Sequence, residues 1–169
     1  FIADGIESTT LENNFTSRHY YKLSVLPEYR VDLQNDRQLT YRLGATFDDT
    51  NRDGSEMSLI GDITLNTINA DNTSQIVYLS YAQASQVPGY TAIGGSNTGG
   101  LFRSNYDLER ETTKNIELGL ALERDTWRLD SAIFYRQDDD LTDWTYSLSS
   151  SSARSANPVD IKTLGLELL

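Results

Sequence analysis

The chain has 169 residues, with 25 Asp and Glu against 14 Lys and Arg, a net charge of −11 and no cysteine. An acidic chain does not offer the clustered Lys and Arg that phosphates demand, so no nucleic-acid partner is expected, and the missing cysteines exclude a disulfide framework, a zinc–thiolate site and a thiol nucleophile. There is no basic leader followed by an apolar run and no apolar stretch of about 18 residues, so neither a signal peptide nor a transmembrane helix is expected here.

Transmembrane β-strands escape that test, because each needs only about 9–11 residues and every second one can be polar. The mean hydropathy of −0.48 is therefore no argument against a membrane barrel.

Strand period dominates from the start. After Tyr21 the odd positions Leu23, Val25, Pro27, Tyr29, Val31 and Leu33 are apolar, and Lys22, Ser24, Glu28, Arg30 and Asp32 alternate with them. Asn35-Asp36 supplies turn chemistry, and the split recurs with Leu39, Tyr41, Leu43, Ala45 and Phe47 set against Gln38, Thr40, Arg42, Thr46 and Asp48. A third strand carries Met57, Leu59, Ile63 and Leu65 on one face. Residues 69–72 turn it into a fourth, over 75–84, with Val77, Leu79 and Tyr81 outward and Tyr78, Ser80 and Ala82 inward.

The fifth strand sets Ile116, Leu118, Leu120 and Leu122 against Glu117, Gly119, Ala121 and Glu123. The sixth sets Trp127, Leu129, Ile133 and Tyr135 against Arg128, Asp130 and Arg136, and a seventh begins near Val159 with Leu164, Leu166 and Leu168 opposite Gly165 and Glu167. No helical period outlasts a turn and no repeat exists beyond the hairpin rhythm.

The connections alternate: short at 34–37, longer at 50–55, short near 68–72, very long over 86–113, minimal at 124–126 and long over 141–158. Outer-membrane barrels have this asymmetry, with tight periplasmic turns and longer loops outside, whereas a soluble sandwich mixes its connection lengths. The Ser-rich stretch 147–155 reads as a loop tip. Both ends read as cut, the first inside an external loop over 4–17 and the last in mid-strand. Seven amphipathic strands with two open edges would leave a wide apolar face uncovered. The fold class expected is all-β, an antiparallel up-and-down transmembrane β-barrel, of which residues 1–169 are a fragment.

Four segments occur in a telling order: "YLSYAQASQVPGY" at 78–90, "ERETTKNIELGLALE" at 109–123, "DSAIFYRQDDDLTDW" at 130–144 and "TLGLELL" at 163–169. Their succession resembles the late barrel segments of TonB-dependent outer-membrane receptors. The resemblance implies a plugged barrel of about 22 strands in the Gram-negative outer membrane, surrounded by lipid. It also implies binding of a scarce small nutrient, of the siderophore–iron, cobalamin or glycan type, and import with energy from TonB. The plug domain, the TonB-binding box and the aromatic last residue typical of the family are not found in this stretch.

Glu117 and Gly119 match the family motif and face inward, where they either touch the plug or serve solvation and close packing of the lumen. Arg42, Arg128 and Arg136, with Arg30, are also expected inside, offset by Glu28, Asp48, Glu117, Glu123 and Asp130 in charge ladders between strands. Outward Tyr21, Tyr41, Tyr81, Trp127 and Tyr135 suit the headgroup level.

The loop over 86–113 carries Tyr90, Phe102, Arg103 and Tyr106 among glycines, and Trp144, Tyr146 and Arg154 lie in the next. Aromatic and Arg side chains on loops are what ligand capture uses, and a lid without ligand contact uses them as well. Asp138-Asp139-Asp140 lacks the ligand spacing of a calcium loop. The single histidine, His19, has no partner motif for a triad, so no catalytic residue, metal or cofactor is expected and the protein is read as no enzyme. A passive porin-like channel and a soluble β-sheet binding module remain the alternatives.

Overall fold

The computed structural model describes residues 18–94, 101–146 and 153–169. The expected external loop over 4–17 lies outside them, as do the glycines Gly95, Gly99 and Gly100 and residues 147–152 of the Ser-rich stretch 147–155, whose last two residues, Arg154 and Ser155, are strand and not loop tip.

Nine strands and one helical turn make up these residues: β1 (Tyr20–Val25), β2 (Glu28–Leu33), β3 (Arg37–Thr50), β4 (Gly54–Ile68), β5 (Ser74–Gln86), α1 (Tyr90–Ile93), β6 (Phe102–Arg103), β7 (Glu111–Arg124), β8 (Trp127–Thr145) and β9 (Arg154–Leu168). The order across the sheet is β1-β3-β4-β5-β7-β8-β9-β6, with β2 also on β3. Every pairing is antiparallel except the short one between β6 and β9. The wall is thus an up-and-down meander of seven strands, with β1 and β2 acting as one interrupted strand and β6 lying in a loop. It is an open arc, a partial barrel.

The interruption falls at Leu26-Pro27. β1 and β2 continue one register on β3, from Val25 opposite Ala45 to Glu28 opposite Arg42. Proline has no N–H for the ladder, and only its carbonyl still pairs, accepting from the Leu43 N–H at 3.4 Å. The backbone presses inward there, and Gly44 makes room: a Cβ on it would lie 2.0 Å from the Val25 carbonyl oxygen.

Side chains divide as the alternation predicts. Tyr41, Ile63, Leu79, Leu118, Ile133 and Leu166 are register partners in turn, and together they make one apolar row across six strands. All six are exposed, Leu166 at 79%. One residue along, Arg42, Asp62, Ser80, Glu117, Phe134 and Gly165 form the matching row on the other face. A water-soluble sheet would cover its leucines and wet its charges. Here the apolar face is bare and nothing among the described residues packs on it, while Asp48 and Thr50 on the polar side are buried. That is the inside-out pattern of a wall made for lipid. Tyr21, Tyr41, Tyr81, Trp127 and Tyr135 are all exposed.

On the polar face two rings lie flat over glycines of the neighbouring strand. A Cβ at Gly119 would sit 2.2 Å from the Tyr78 ring, and one at Gly165 would sit 2.3 Å from the Phe134 ring. Gly119→Val is accordingly expected to destabilise the sheet by about 1–3 kcal/mol through overpacking. Adding Tyr78→Ala should recover part of that loss, which a double-mutant cycle of bilayer refolding free energies would measure.

The turn end is tight. Asn35 and Asp36 have φ of 61° and 51°, and short-side-chain residues such as these tolerate that conformation. In the turn at 69–73, the Thr73 N–H donates to the Asp71 carboxylate at 3.1 Å. That bond, aided by the Thr73 hydroxyl, holds the Asp71 carboxyl below its usual range.

The loop end departs from the expected alternation in two places. The connection read as longer at 50–55 is only residues 51–53, closed by Gly54 at φ 67°, a compact three-residue hairpin loop. The loop expected over 141–158 is largely strand, because β8 runs on to Thr145 and β9 starts at Arg154. A bulge between Asp138 and Leu141, with Asp140 at φ 57°, disturbs the period there.

Candidate functional site

The long connection from β5 to β7 and the β3–β4 hairpin meet at the loop end. The only buried apolar cluster among the described residues is there: Ala92 and Ile93 of α1, Leu108, and Ala156 of β9, with Trp144 of β8 against them. Phe102 meets the Trp144 ring edge-on at 5.2 Å. Backbone bonds add to this seat, since β6 pairs with β9, Arg154 N–H donates to Leu101 O at 2.7 Å and Asn105 N–H to Ala92 O at 2.7 Å.

Two arginines bind the other side of the same connection to the hairpin. Arg52 donates to Asp53 and to the Tyr106 carbonyl, reaches Leu108 O at 3.0 Å, and lies over the Tyr106 ring at 4.9 Å. Arg110 answers from the loop. It donates to the Asp48 carboxylate, to Ser85 Oγ at 3.2 Å and to the carbonyls of Asp53 and Gly54. The side chains of Arg110 and Asp48 are 9% and 1% exposed, and those of Arg52 and Asp53 are 12% and 6%. At the loop's first residues, Arg18 donates to Pro88 O at 2.9 Å and stacks on Tyr90 at 4.6 Å.

Beside this interlock lies an open cleft of about 560 Å³, lined by Arg52, Asp53, Glu56, Tyr106, Asp107, Leu108, Glu109, Arg110, Thr112 and Asp140. Both arginines of the lining are committed to Asp53 and Asp48, so the cleft wall is acidic in balance.

Below, the polar face of the sheet carries short-range charge pairs. Arg42 holds Asp62 across β3 and β4 with two bonds, 2.7 and 3.1 Å, and Arg128 holds Asp130 of its own strand at 2.6 and 3.0 Å while lying 3.8 Å from Glu123. Arg136 does the same to Asp138, which also accepts from Thr113 at 2.6 Å. Glu117 accepts from the Tyr78 hydroxyl at 2.6 Å.

A meander with a bare apolar face, a charged face and loops gathered at one end matches a known family. The family model described as TonB dependent receptor-like, beta-barrel, matches residues 7–169. The chain belongs to the TonB-dependent receptor β-barrel family. Among solved structures it is similar to the siderophore receptor PirA from Pseudomonas aeruginosa, with a TM-score of 0.61 and 20% identity, a likeness of fold. The alignment covers 89% of this chain and 28% of that one, so the chain spans about a quarter of the receptor's length. No curated protein sequence matches it.

TonB-dependent receptors are transport proteins of the outer membrane, not an enzyme family. In this member the seven loop residues singled out from the sequence scatter into different settings. Phe102 and Trp144 engage each other, Tyr106 lines the cleft under Arg52, and Tyr90 opens α1 beneath Arg18. Tyr146 is 60% exposed beyond the end of β8. Arg103 lies in β6, and Arg154 starts β9. Arg154 and Trp144 are strand residues, where the sequence pointed to loop.

Sequence reasoning missed Arg52, Asp53 and Arg110 altogether and placed Asp48 only as an inward acid. Asp48 and Arg110 are 62 positions apart, and no local motif announces such a pair.

Proposed function

We propose that this chain is part of the barrel wall of an outer-membrane receptor that captures a scarce nutrient and imports it with energy delivered by TonB. The nutrient is of the siderophore–iron, cobalamin or glycan type, and residues 1–169 are a fragment whose barrel also encloses a plug domain. The observation that carries the reading is the wall itself, bare and apolar on one face, charged on the other, with its loops gathered over one rim. On this reading Arg42, Glu117, Gly119, Arg128 and Arg136 face the lumen, and Tyr90, Phe102, Arg103, Tyr106, Trp144, Tyr146 and Arg154 surround the outer entrance. The outer face meets Gram-negative outer-membrane lipid.

A passive porin shares such a wall but encloses no plug, and the family match over residues 7–169 favours the receptor. Ferric siderophores are the first probes, following the name of the PirA neighbour. The test is uptake of labelled ferric siderophores by iron-starved cells carrying the full-length protein, with and without functional TonB. Uptake that needs TonB is the expected result. Uptake that persists unchanged without TonB makes the protein a passive channel and ends the proposal.

A further inference from the structure

The outward face changes character toward the loop end. The last apolar row there is Tyr81, Ile116, Tyr135 and Leu164, register partners in turn across β5, β7, β8 and β9. The next row on the same face is Gln83, Lys114, Gln137 and Lys162, again partners in turn. It holds two ammonium groups and two amides, with no carboxylate among them. Four neighbouring strands thus pass from rings and aliphatic chains to hydrogen-bond donors within one step of the pleat.

The level of that row follows from β7. Below Lys114 the outward residues are Ile116, Leu118, Leu120 and Leu122, and the next is Arg124. The two cations are about ten residues apart, roughly 34 Å along a strand. Strands tilted by roughly 40° carry that length over about 25 Å of the membrane normal, the height of the apolar band on an outer-membrane barrel. Arg124 therefore marks one edge of the band and Lys114 the other. Tyr81 and Tyr135, one row inside, suit the same boundary, and a lysine stem can lie along the apolar row while its ammonium reaches the headgroups.

Both lysines are accessible. Lys162 is exposed and enters none of the ion pairs among the described residues. Lys114, with its side chain 45% exposed, pairs with Asp139 at a long 3.4 Å, whereas Gln137 donates to Asp139 at 2.7 Å. The outward acids Asp139 and Asp160 lie beyond the lysine row, farther from the apolar band. Each is engaged within the sheet, Asp139 by Gln137 and Asp160 by the Asp140 N–H at 3.1 Å. A headgroup joined to its acyl chains meets the lysines first.

We propose that Gln83, Lys114, Gln137 and Lys162 form a docking site for the phosphate of an anionic lipid in the leaflet at the loop end. The proposal rests on the reading of the bare face as the one that meets lipid. Adjacent strands lie about 4.8 Å apart, so the two lysines stand roughly 10 Å apart with Gln137 between them. A phosphate over Gln137 is within reach of both flexible stems and of an amide N–H. Each lysine near a membrane surface raises the local occupancy of an anionic lipid by roughly fivefold, and the neighbouring acids offset part of that gain.

The test is fluorescence quenching in the full-length receptor reconstituted in phosphatidylcholine. This stretch has no cysteine of its own, so a fluorophore can be attached after Leu164→Cys, one row inside Lys162, and separately after Leu43→Cys on β3. Both leucines are exposed. Phosphatidic acid with brominated chains is compared with brominated phosphatidylcholine at equal mole fraction. Phosphatidic acid is expected to quench at 164 as though enriched several-fold, and to show no such preference at 43. Lys114→Gln and Lys162→Gln together should abolish the preference at 164. No preference in the parent protein, an equal preference at both positions, or one that survives the double substitution each overturns the proposal. Should the double variant fail to fold, Lys162→Gln alone carries the test, because it breaks no ion pair. A reduced preference then supports the site, and an unchanged one overturns it. Quenching by phosphatidylcholine reports separately that the face meets lipid, so a failed docking site and a failed reading of the wall are told apart.

Discussion

Leu118→Arg in the full-length receptor is expected to destabilise the folded barrel by about 2–4 kcal/mol, the cost of a charge on the lipid face near the bilayer midplane. Leu118 lies in the middle of β7, 50% exposed, with Leu79 and Ile133 as its register partners on either side. Its neighbours in that row, Ile63, Leu79, Ile133 and Leu166, have no polar side-chain group to accept from a guanidinium. Ala121→Arg is the control. It is three residues along the same strand on the opposite face, and its partner on β8 is Asp130, so a new arginine has both water and a carboxylate within reach. Refolding titrations into bilayers should therefore show a large loss for the first substitution and a much smaller one for the second. Equal losses would mean that the two faces are assigned wrongly.

Gly44→Val should be nearly as damaging, at the upper end of the ~1–3 kcal/mol typical of overpacking. The reason is the identity of what it strikes. At Gly119 the obstacle is a tyrosine ring that can turn aside, whereas at Gly44 a Cβ meets the Val25 carbonyl oxygen at 2.0 Å and the Leu26 Cα at 2.8 Å. Backbone cannot rotate away, so β1 and β2 must lift off β3. Protease cleavage near 25–28 in refolded protein is the companion readout, expected to rise in Gly44→Val and to stay at the parent level in Gly89→Ser, where an added Cβ meets nothing within 4 Å. A stable, protease-resistant Gly44→Val would show that the strand interruption is not pressed against β3.

Most of the wall was legible in the sequence, because a lipid-facing strand obeys a rule with period two and every violation is costly. Leu118 and Glu117 could be assigned to opposite faces from neighbours alone. Three things were hidden. Pro27 keeps the parity of an apolar position, so it read as one more outward residue, although its missing N–H divides the strand. The bulge at Asp138–Leu141 shifts the period by a step, which made residues 141–145 of β8 and 154–158 of β9 look like loop. The arginine interlock depends on pairings between segments far apart along the chain, and residues such as Arg52, flanked by turn formers, look like ordinary loop charges. The short elements α1 and β6 are too brief for any period to betray them.

The break at Leu26-Pro27 also has a mechanical side. Pulled along its length, an intact strand shares the load over its whole ladder, whereas β1 and β2 each hold β3 through six register pairs of their own. The two halves are separate shear clamps in series around a short unladdered link. Tension on this stretch of wall would strip them one after the other, at a lower peak force than β3 and β4 would resist, and the seam beside β3 is where the arc gives way first.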